Sequence, residues 1–389
     1  MEQAIHKYTW KDHFFNISLV LFFILPQNGL LYYFVPASMV LLTDWSKSQK
    51  TNLRSLVIIL IGSLFLTLLM NISSSWVTVK SYLKLVELVI LLICFGKLRS
   101  FTIIKGYLIF LVLYLIIFQF AFQLNVPFIS QLMQEIYPLT ADELEQYAFR
   151  QDLGFSDIGG ASARLGGIYY NSNNCASFLE MLLLLVVNER EQFKKGMFVI
   201  LVSLVVFGII STGSRTSMLV LAILLMFMFA QGNKSDKRMV FIFMIAAIVY
   251  FLAYGSSMRM FMVKEGMDDS FLVKVGILID YITTTVSPFR LLFGCLSGSY
   301  LVYALGRQFP GTDFDIGDVT VAYGIVFFVL LLFFIWYLYK NLGRYKTFLC
   351  ILIWCFSNTI FMSYRASALF LLITSMYYTK NILERKVKQ

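Results

Sequence analysis

Three aspartates stand together ahead of an apolar stretch, in the sequence GTDFDIGDVT. Asp313, Asp315 and Asp318 lie within six residues of one another, immediately before residues 319–338. A carboxylate group can accept a proton from a hydroxyl group and so act as a general base. The alternative is a solvated helix N-terminus, where acidic side chains interact favourably with the helix dipole. The spacing is compatible with both roles.

Seven arginines stand apart from the lysine-rich segments between the apolar runs. They are Arg150, Arg164, Arg215, Arg259, Arg290, Arg307 and Arg365. A guanidinium group presents a planar pair of donors that fits two oxygens of a phosphate or carboxylate, so these arginines suggest an anion site. Arg215 is the first choice, since it follows Thr212-Gly213-Ser214 at a turn where the next helix begins with free N–H groups. Its alternative is an interfacial arginine whose side chain reaches the membrane surface.

Further polar residues lie at or inside apolar runs. Asn171, Asn173 and Asn174 precede the run 172–188 or begin it, and Glu180 follows Asn173 by seven residues, so it could face the same cavity.

Glu87 lies three residues after Lys84 and seven after Lys80, which places the three on one helix face. An ion pair is favoured there over an entrance for lipid phosphate.

Several classes of chemistry are excluded by what the chain contains. Its two histidines, His6 and His13, precede the first apolar run, so neither a histidine metal site nor a serine–histidine triad fits the apolar body. The five cysteines are scattered singly, without a disulfide framework or a CxxC motif. The formal charge of +10 is spread between apolar segments, which is unlike the basic stripe of a nucleic-acid-binding protein.

The composition is that of an integral membrane protein, because 59% of the residues are hydrophobic, 14% are charged and the mean hydropathy is +0.76. We predict a single all-α polytopic domain over residues 1–389 with about twelve transmembrane helices and a retained first helix. The predicted helices are 14–25, 29–43, 55–72, 81–96, 102–122, 172–188, 197–212, 216–231, 239–254, 319–338, 347–363 and 366–379.

The basic residues predict the sidedness of these helices. With both termini in the cytoplasm, 21 of the 32 lysines and arginines fall in inner segments, and six of those 21 are arginine. Two large outer loops follow, 123–171 and 255–318. The first is predicted to contain an amphipathic surface helix. The second is predicted to contain interfacial or re-entrant pieces, or alternatively an extra spanning pair.

The order of short motifs in the second half resembles the O-antigen polymerase and ligase superfamily. Arg164-Leu165-Gly166-Gly167 is followed by Asn171-Ser172-Asn173-Asn174, then by Thr212-Gly213-Ser214-Arg215, SPFRLLFG and GTDFDIGD. The resemblance covers about residues 150–340, and the first 120 residues match in hydropathy only.

This resemblance implies a GT-C-type glycosyltransferase on the outer face of the bacterial cytoplasmic membrane. Its donor would be a glycan on undecaprenyl diphosphate, with no cofactor, metal or nucleotide sugar. A Wzy-type polymerase moves the growing chain onto a lipid-linked repeat unit, whereas a ligase moves it to lipid A core. Ligases use a histidine in the last large outer loop, and its absence here favours the polymerase. A flippase and a chain-length regulator are the further partners implied.

The reaction implied by this resemblance assigns roles to the polar residues. Arg215, Arg164, Arg259 and Arg290 are candidates to bind the donor diphosphate, where the leaving group gains charge. Asn171, Asn173 and Asn174 are candidates to line the substrate cavity. Asp315 is the first candidate for the base, Asp318 the second and Asp313 the third, and Gly317 is expected to leave the backbone free for a sugar to approach. A lipid-linked oligosaccharide flippase is the competing class, although the two halves show no repeat of the kind typical of transporters.

The charge asymmetry predicts which loops an impermeant thiol reagent reaches from outside the cell. Single cysteines at positions 155 and 265 should be labelled, and those at 192 and 235 should not. The measurement is labelling of intact cells, with the parent chain as the blank for its own five cysteines. Labelling at position 192 from outside would reverse the predicted sidedness.

Overall fold

The computed structural model describes most of the chain and is all-helical there. The described residues contain no strand, and an isolated antiparallel bridge joins Thr43 to Leu98. This confirms the all-α class predicted from the apolar runs. The described ranges are 8–26, 29–99, 101–123, 126–137, 166–169, 172–231, 270–284, 287–306, 311–312, 314–356 and 360–388.

The chain forms two compact units. Unit 1 comprises residues 1–22, 28–102 and 269–389, and unit 2 comprises residues 23–27 and 103–268. The prediction of one membrane domain over 1–389 stays a prediction.

The described helices of unit 1 come from both ends of the chain. They are α1 (Trp10–Ile24, whose last two residues belong to unit 2), α2 (Gly29–Leu42), α3 (Thr51–Asn71), α4 (Val79–Cys94), α10 (Ser270–Thr284), α11 (Pro288–Phe293), α12 (Ser299–Leu305), α13 (Asp315–Asn341) and α14 (Tyr364–Lys388). A 3-10 helix, Gly343–Phe356, lies between α13 and α14.

The described helices of unit 2 come from the middle of the chain. They are α5 (Lys105–Gln123), α6 (Pro127–Ile136), α7 (Ser172–Asn188), α8 (Lys195–Ser211) and α9 (Arg215–Gln231), with 3-10 turns at Gly167–Tyr169 and Arg190–Gln192. The main packing is of α7 on α8, and of α5 on α8 and on the first 3-10 turn.

Ten of the twelve predicted helices coincide with described α-helices. The predicted helix 239–254 lies outside the described residues. In the one predicted at 347–363, the chain up to Phe356 belongs to the 3-10 helix Gly343–Phe356 rather than to an α-helix, and residues 357–359 lie outside the described residues. Two described helices, Thr51–Asn71 and Asp315–Asn341, are long and apolar enough to cross a membrane. The count of twelve spans stays a prediction.

The second large loop contains short helices in its described part. Helix α11 has six residues and α12 has seven, so each is too short to cross a hydrocarbon core of about 30 Å. The sequence RLLFGCLSGSYLVYALG therefore does not form a spanning helix. Both short helices instead pack around the beginning of α13.

Helix α13 is interrupted at Gly324, and the segment after α11 crosses it there. The φ of Gly324 is 82° and that of Gly294 is 77°, both in the left-handed region that favours glycine. The amides of Cys295 and Leu296 donate to the carbonyls of Val321 and Ala322, each at 2.8 Å. These bonds satisfy carbonyl groups that the interruption of α13 releases.

Helix α3 supplies the side chains that hold this crossing from the other side. Thr67 donates through its hydroxyl to the Phe293 carbonyl, and Asn71 Nδ2 donates to the Gly294 carbonyl at 3.1 Å. Both side chains are fully buried. The polar positions in the apolar helix α3 are thus explained by the backbone groups that they satisfy.

The opposite ends of these helices pack around the segment that follows α4 and begins at Phe95. The Phe95 ring packs on Phe334 of α13 and Tyr378 of α14, with centroids 5.0 and 5.8 Å away. Gln49 Nε2, just before α3, donates to the Phe95 carbonyl at 2.6 Å. Unit 1 therefore has two ends. The 95–102 end comprises residues 95–99, 101 and 102 with the residues packed against them, and the crossing end comprises the Gly294–Gly324 crossing with the residues packed against it.

The start of α1 also belongs to the 95–102 end. The Thr102 amide donates to the Asp12 carboxylate at 3.0 Å, and the Thr9 hydroxyl donates to it at 2.6 Å. Partial burial raises the pKa of Asp12, but the hydrogen bonds from Thr9 and Thr102 outweigh it, so the pKa lies below its ordinary value.

Glycines also set the packing of unit 2. Gly167 has a φ of 52°, and a Cβ atom on it would lie 3.2 Å from the Gln119 backbone. Gln119 Nε2 in turn donates to the Gly208 carbonyl on α8 at 3.0 Å. The second glycine of the Leu165-Gly166-Gly167 sequence is therefore required for close packing on α5.

The crossing predicts that Gly324→Ala destabilises the protein by at least about 2 kcal/mol. A left-handed conformation costs alanine about 1–2 kcal/mol, and its Cβ would also overlap the Leu292 carbonyl. The measurement is thermal and denaturant unfolding of the detergent-solubilised chain. Gly62→Ala is the control, because Gly62 lies in α3 with open space around it, and we expect no loss of stability there. Equal stability of the two variants would contradict this account.

Candidate functional site

Asp315, the first candidate base, begins α13 and is almost fully buried. Its carboxylate accepts hydrogen bonds from the amides of Ile360 at 2.5 Å, Phe361 at 3.1 Å and Met362 at 3.3 Å. Three backbone donors on one carboxylate hold the chain before α14 against the start of α13. This geometry is that of an anchor between two helices, and the role of Asp315 as a base stays a prediction.

Asp318, the second candidate, lies one turn further along α13 and is 8% exposed. Its Oδ1 atom accepts from the Thr312 amide at 2.5 Å and from the Thr312 hydroxyl at 2.8 Å. A Cβ on Gly317 would overlap the Thr312 and Phe314 side chains. The loop that holds Asp318 thus fills the space beside Gly317. The structure does not show the open approach for a sugar that the sequence predicts at this glycine.

Helix α4 brings two more charged residues to Asp318. Lys84 interacts electrostatically with both Asp318 and Glu87, and Glu87 is only 2% exposed. The Ser367 hydroxyl of α14 donates to Glu87 Oε1 at 3.5 Å. Lys84 thus interacts with carboxylates from two different helices, and the ion pair predicted within α4 stays a prediction.

Two tyrosines complete this polar cluster. The hydroxyl groups of Tyr323 on α13 and Tyr364 on α14 lie within electrostatic range of Glu87. Tyr364 also donates to the Tyr32 carbonyl of α2 at 2.7 Å. We call the six residues Lys84, Glu87, Asp318, Tyr323, Tyr364 and Ser367 the α4–α13–α14 cluster.

Arg290, one of the candidate diphosphate-binding residues, lies between aromatic rings. Its guanidinium carbon is 4.9 Å from the Trp76 ring centroid and 5.5 Å from that of Tyr300. Trp76 is oriented by its Nε1 atom, which donates to the Cys295 carbonyl at 3.0 Å. Within the described part of the chain, no carboxylate forms an ion pair with this guanidinium. Its donors are held by the rings in a defined orientation.

A small apolar core connects Arg290 to the start of α13. Tyr281, Cys295, Tyr300 and Val321 are buried against one another, and Trp76 packs on them. Val321 follows Asp318 by less than one helical turn. The carboxylate of Asp318 and the guanidinium of Arg290 are thus positioned by the same crossing end of unit 1.

Unit 2 contains the Thr212-Gly213-Ser214-Arg215 turn. Gly213 has a φ of 61°, the Thr212 hydroxyl donates to the Ile209 carbonyl at 2.7 Å, and Arg215 is the first residue of α9. The turn is as tight as the glycine predicts. Asn173 and Asn174 lie in the first turn of α7, and the Asn174 carbonyl accepts from the Ser177 hydroxyl at 2.8 Å.

Four candidate residues lie outside the described part of the chain: Asp313, Arg164, Arg259 and Asn171. Of the others, Asp315, Asp318 and Arg290 belong to unit 1, whereas Arg215, Asn173 and Asn174 belong to unit 2.

Sequence reasoning did not connect Lys84 to Asp318, because nothing in the spacing links α4 to α13. The sequence did contain one signal for the crossing. Thr67 and Asn71 are polar residues in the apolar helix α3, where such side chains need partners like the backbone carbonyl groups of an irregular segment. Among the described residues, no group of three or more histidine, cysteine, aspartate or glutamate side chains is arranged to hold a metal ion.

Comparison with known proteins finds no match, either among protein-family models or among curated proteins.

The α4–α13–α14 cluster predicts that Lys84→Met destabilises the protein by about 3 kcal/mol, because it leaves two buried carboxylates without their cation. The measurement is denaturant unfolding in detergent near neutral pH. Lys80→Met is the matched control, since Lys80 is exposed on the same helix, and we expect a change within about 0.5 kcal/mol. Adding Glu87→Gln to Lys84→Met should recover part of the loss. If Lys84→Met is as stable as Lys80→Met, Lys84 does not compensate these carboxylates.

Proposed function

We propose that the chain is a Wzy-type polysaccharide polymerase of the bacterial cytoplasmic membrane. It would transfer a growing glycan from undecaprenyl diphosphate to a lipid-linked repeat unit at the outer face. The observation that carries the proposal is that Asp318 and Arg290 both lie at the crossing end of unit 1. A carboxylate able to take a proton and a guanidinium able to bind phosphate are the two groups that this transfer needs.

A membrane location is supported by the apolar surface of the long helices. In α3, Ile58, Ile59 and Phe65 are each more than half exposed, and Phe333 of α13 is exposed to the same degree. Contiguous exposed apolar faces on both span candidates fit contact with lipid better than contact with water.

The proposed sidedness is supported by the distribution of charge between the two ends of unit 1. Around the 95–102 end, the ranges 8–22, 29–54, 95–102, 336–356 and 376–388 contain thirteen lysines and arginines and three acidic residues. Around the crossing end, the described residues of 70–90, 270–326 and 360–368 contain five basic and four acidic residues. An excess of positive charge is typical of the cytoplasmic side of a membrane protein, which supports a proposed orientation with the 95–102 end inside and the crossing end outside.

In the proposed reaction, a hydroxyl oxygen of the acceptor repeat unit attacks the anomeric carbon of the donor glycan. The bond from that carbon to the diphosphate oxygen breaks as the new glycosidic bond forms, and the hydroxyl proton passes to Asp318. Arg290 stabilises the negative charge that develops on the departing diphosphate, for which its planar donors are well suited. The sequence pattern alone supports further residues for two roles. The proposed diphosphate-binding residues are Arg215, Arg164 and Arg259, and the proposed cavity residues are Asn171, Asn173 and Asn174.

Asp318 is preferred to Asp315 as the proposed base because of their hydrogen-bond partners. Asp315 accepts from three backbone amides that fix the chain before α14, so its protonation would loosen that contact. Asp318 interacts electrostatically with Lys84, whose positive charge stabilises the ionised form of the carboxylate. Asp313, outside the described residues, stays the third candidate.

The test is reconstitution of the purified chain in liposomes with lipid-linked repeat units. Lengthening of the lipid-linked glycan is the expected result. Transfer to a different acceptor would instead indicate a ligase, and movement of the repeat unit across the bilayer without new bonds would indicate a flippase.

In this assay, Asp318→Asn should slow elongation by about 10²-fold or more, because asparagine keeps the size and the Thr312 contacts but cannot take the proton. Asp280→Asn is the matched control, an exposed aspartate on α10 that we expect to leave elongation unchanged. Equal melting temperatures separate loss of chemistry from loss of fold. Normal elongation by Asp318→Asn would remove Asp318 from the mechanism.

A further inference from the structure

Exposed aromatic rings with lysines over them occur repeatedly in unit 1. On α13, the Nζ atom of Lys340 is 3.6 Å from the ring centroid of Trp336, and that of Lys346 is 5.3 Å from the ring centroid of Tyr339. Both rings are 55% exposed. Two ammonium groups and two rings thus form one compact surface where α13 passes into the 3-10 helix.

Two further pairs have the same composition. Lys97 Nζ is 5.6 Å from the Trp45 ring centroid, and Lys11 Nζ is 5.8 Å from the Trp10 ring centroid. Both tryptophan rings are more than half exposed. Three of the five tryptophans in the chain therefore stand at the surface with a lysine over the ring.

All four pairs lie at the 95–102 end of unit 1. Lys97 belongs to the segment itself, and Trp45 follows the Thr43–Leu98 bridge. Trp10 begins α1, whose Asp12 binds Thr102. The pairs of Trp336 with Lys340 and of Tyr339 with Lys346, which we call the α13 surface, come just after Phe334 along the chain. Phe334 packs on Phe95. The four pairs thus lie at the same end of unit 1, although they come from four separate parts of the sequence.

The acidic residues at this end are engaged elsewhere. Asp12 accepts from Thr9 and Thr102, Asp44 lies 4.0 Å from Lys47, and Glu384 lies 2.9 Å from Arg344. Within the described residues, no ion pair is formed by the four lysines that lie over rings, which are Lys11, Lys97, Lys340 and Lys346. The pairs therefore present positive charge that the protein does not neutralise.

We propose that this end of unit 1 binds anionic phospholipid headgroups through its lysine–aromatic pairs, most strongly at Trp336, Tyr339, Lys340 and Lys346. The rings occupy the headgroup level, where amphipathic aromatic side chains are stable, and hold each ammonium group over their faces. A phosphodiester then takes the remaining N–H donors of two neighbouring lysines. This binding is independent of the catalytic proposal, because it requires only the fold of unit 1.

The test measures lipid binding by the purified full chain in neutral detergent micelles. Phosphatidylglycerol and phosphatidylcholine with the same acyl chains are titrated separately, and bound lipid is counted by native mass spectrometry alongside the melting temperature. Phosphatidylglycerol should bind more tightly and raise the melting temperature, and salt should weaken its effect. Glycerol phosphate, which has the anionic headgroup without chains, should not raise it.

Substitutions at the α13 surface give the sharper result. Lys340→Gln and Lys346→Gln should each weaken phosphatidylglycerol binding by about fivefold and leave phosphatidylcholine binding unchanged. Lys340→Arg should retain the binding. Lys80→Gln is the matched control, since Lys80 is exposed at the crossing end, and it should bind as the parent chain does.

Three results would overturn the proposal. They are equal binding of the two lipids, normal phosphatidylglycerol binding by the Lys340→Gln/Lys346→Gln double variant, and an equal loss in Lys80→Gln. The melting temperature of each variant in lipid-free micelles shows whether it is folded. None of these measurements involves glycan transfer, so they stand whether or not the chain is a polymerase.

Discussion

The crossing of Gly294 over Gly324 is the constraint on which the rest of unit 1 depends. Two backbones can approach this closely only where neither carries a side chain, and both glycines adopt a positive φ that other residues disfavour. The crossing interrupts α13, and the freed carbonyls are satisfied by Cys295 and Leu296. Because α11 and α12 are attached to this segment, their position beside α13 follows from the same contact.

The interruption separates α13 into two parts with different surroundings. Beyond Gly324 the helix is apolar, and residues such as Phe333 and Trp336 on it are more than half exposed. Before it, the first turns carry Asp315 and Asp318, which are buried and must be compensated. Backbone amides before α14 compensate Asp315, whereas Thr312 and Lys84 compensate Asp318. Buried charge at this end therefore ties α4 and α14 to α13, and it supplies the groups that the proposed reaction uses.

The two ends of unit 1 use cations in different ways. At the crossing end, Arg290 is held between Trp76 and Tyr300, where its orientation is fixed and its donors remain able to bind an anion. At the 95–102 end, lysines lie over exposed rings such as Trp336 and present point charges at the surface. The first arrangement suits recognition of one phosphate group, and the second suits attraction to a charged membrane surface.

The sequence by itself determined the all-helical class and most helix positions, because apolar runs are local and each helix forms its own hydrogen bonds. It also marked Asp318 and Arg290 as candidates and Gly213 as a tight turn. It predicted a helix at 347–363, where the chain up to Phe356 is a 3-10 helix, because hydropathy does not distinguish a 3-10 helix from an α-helix. Only the tertiary structure decided that Asp315 anchors α14 and that Lys84 lies beside Asp318. These residues are far apart along the chain, and their pairing depends on how the helices pack around the Gly294–Gly324 crossing, which no local pattern encodes.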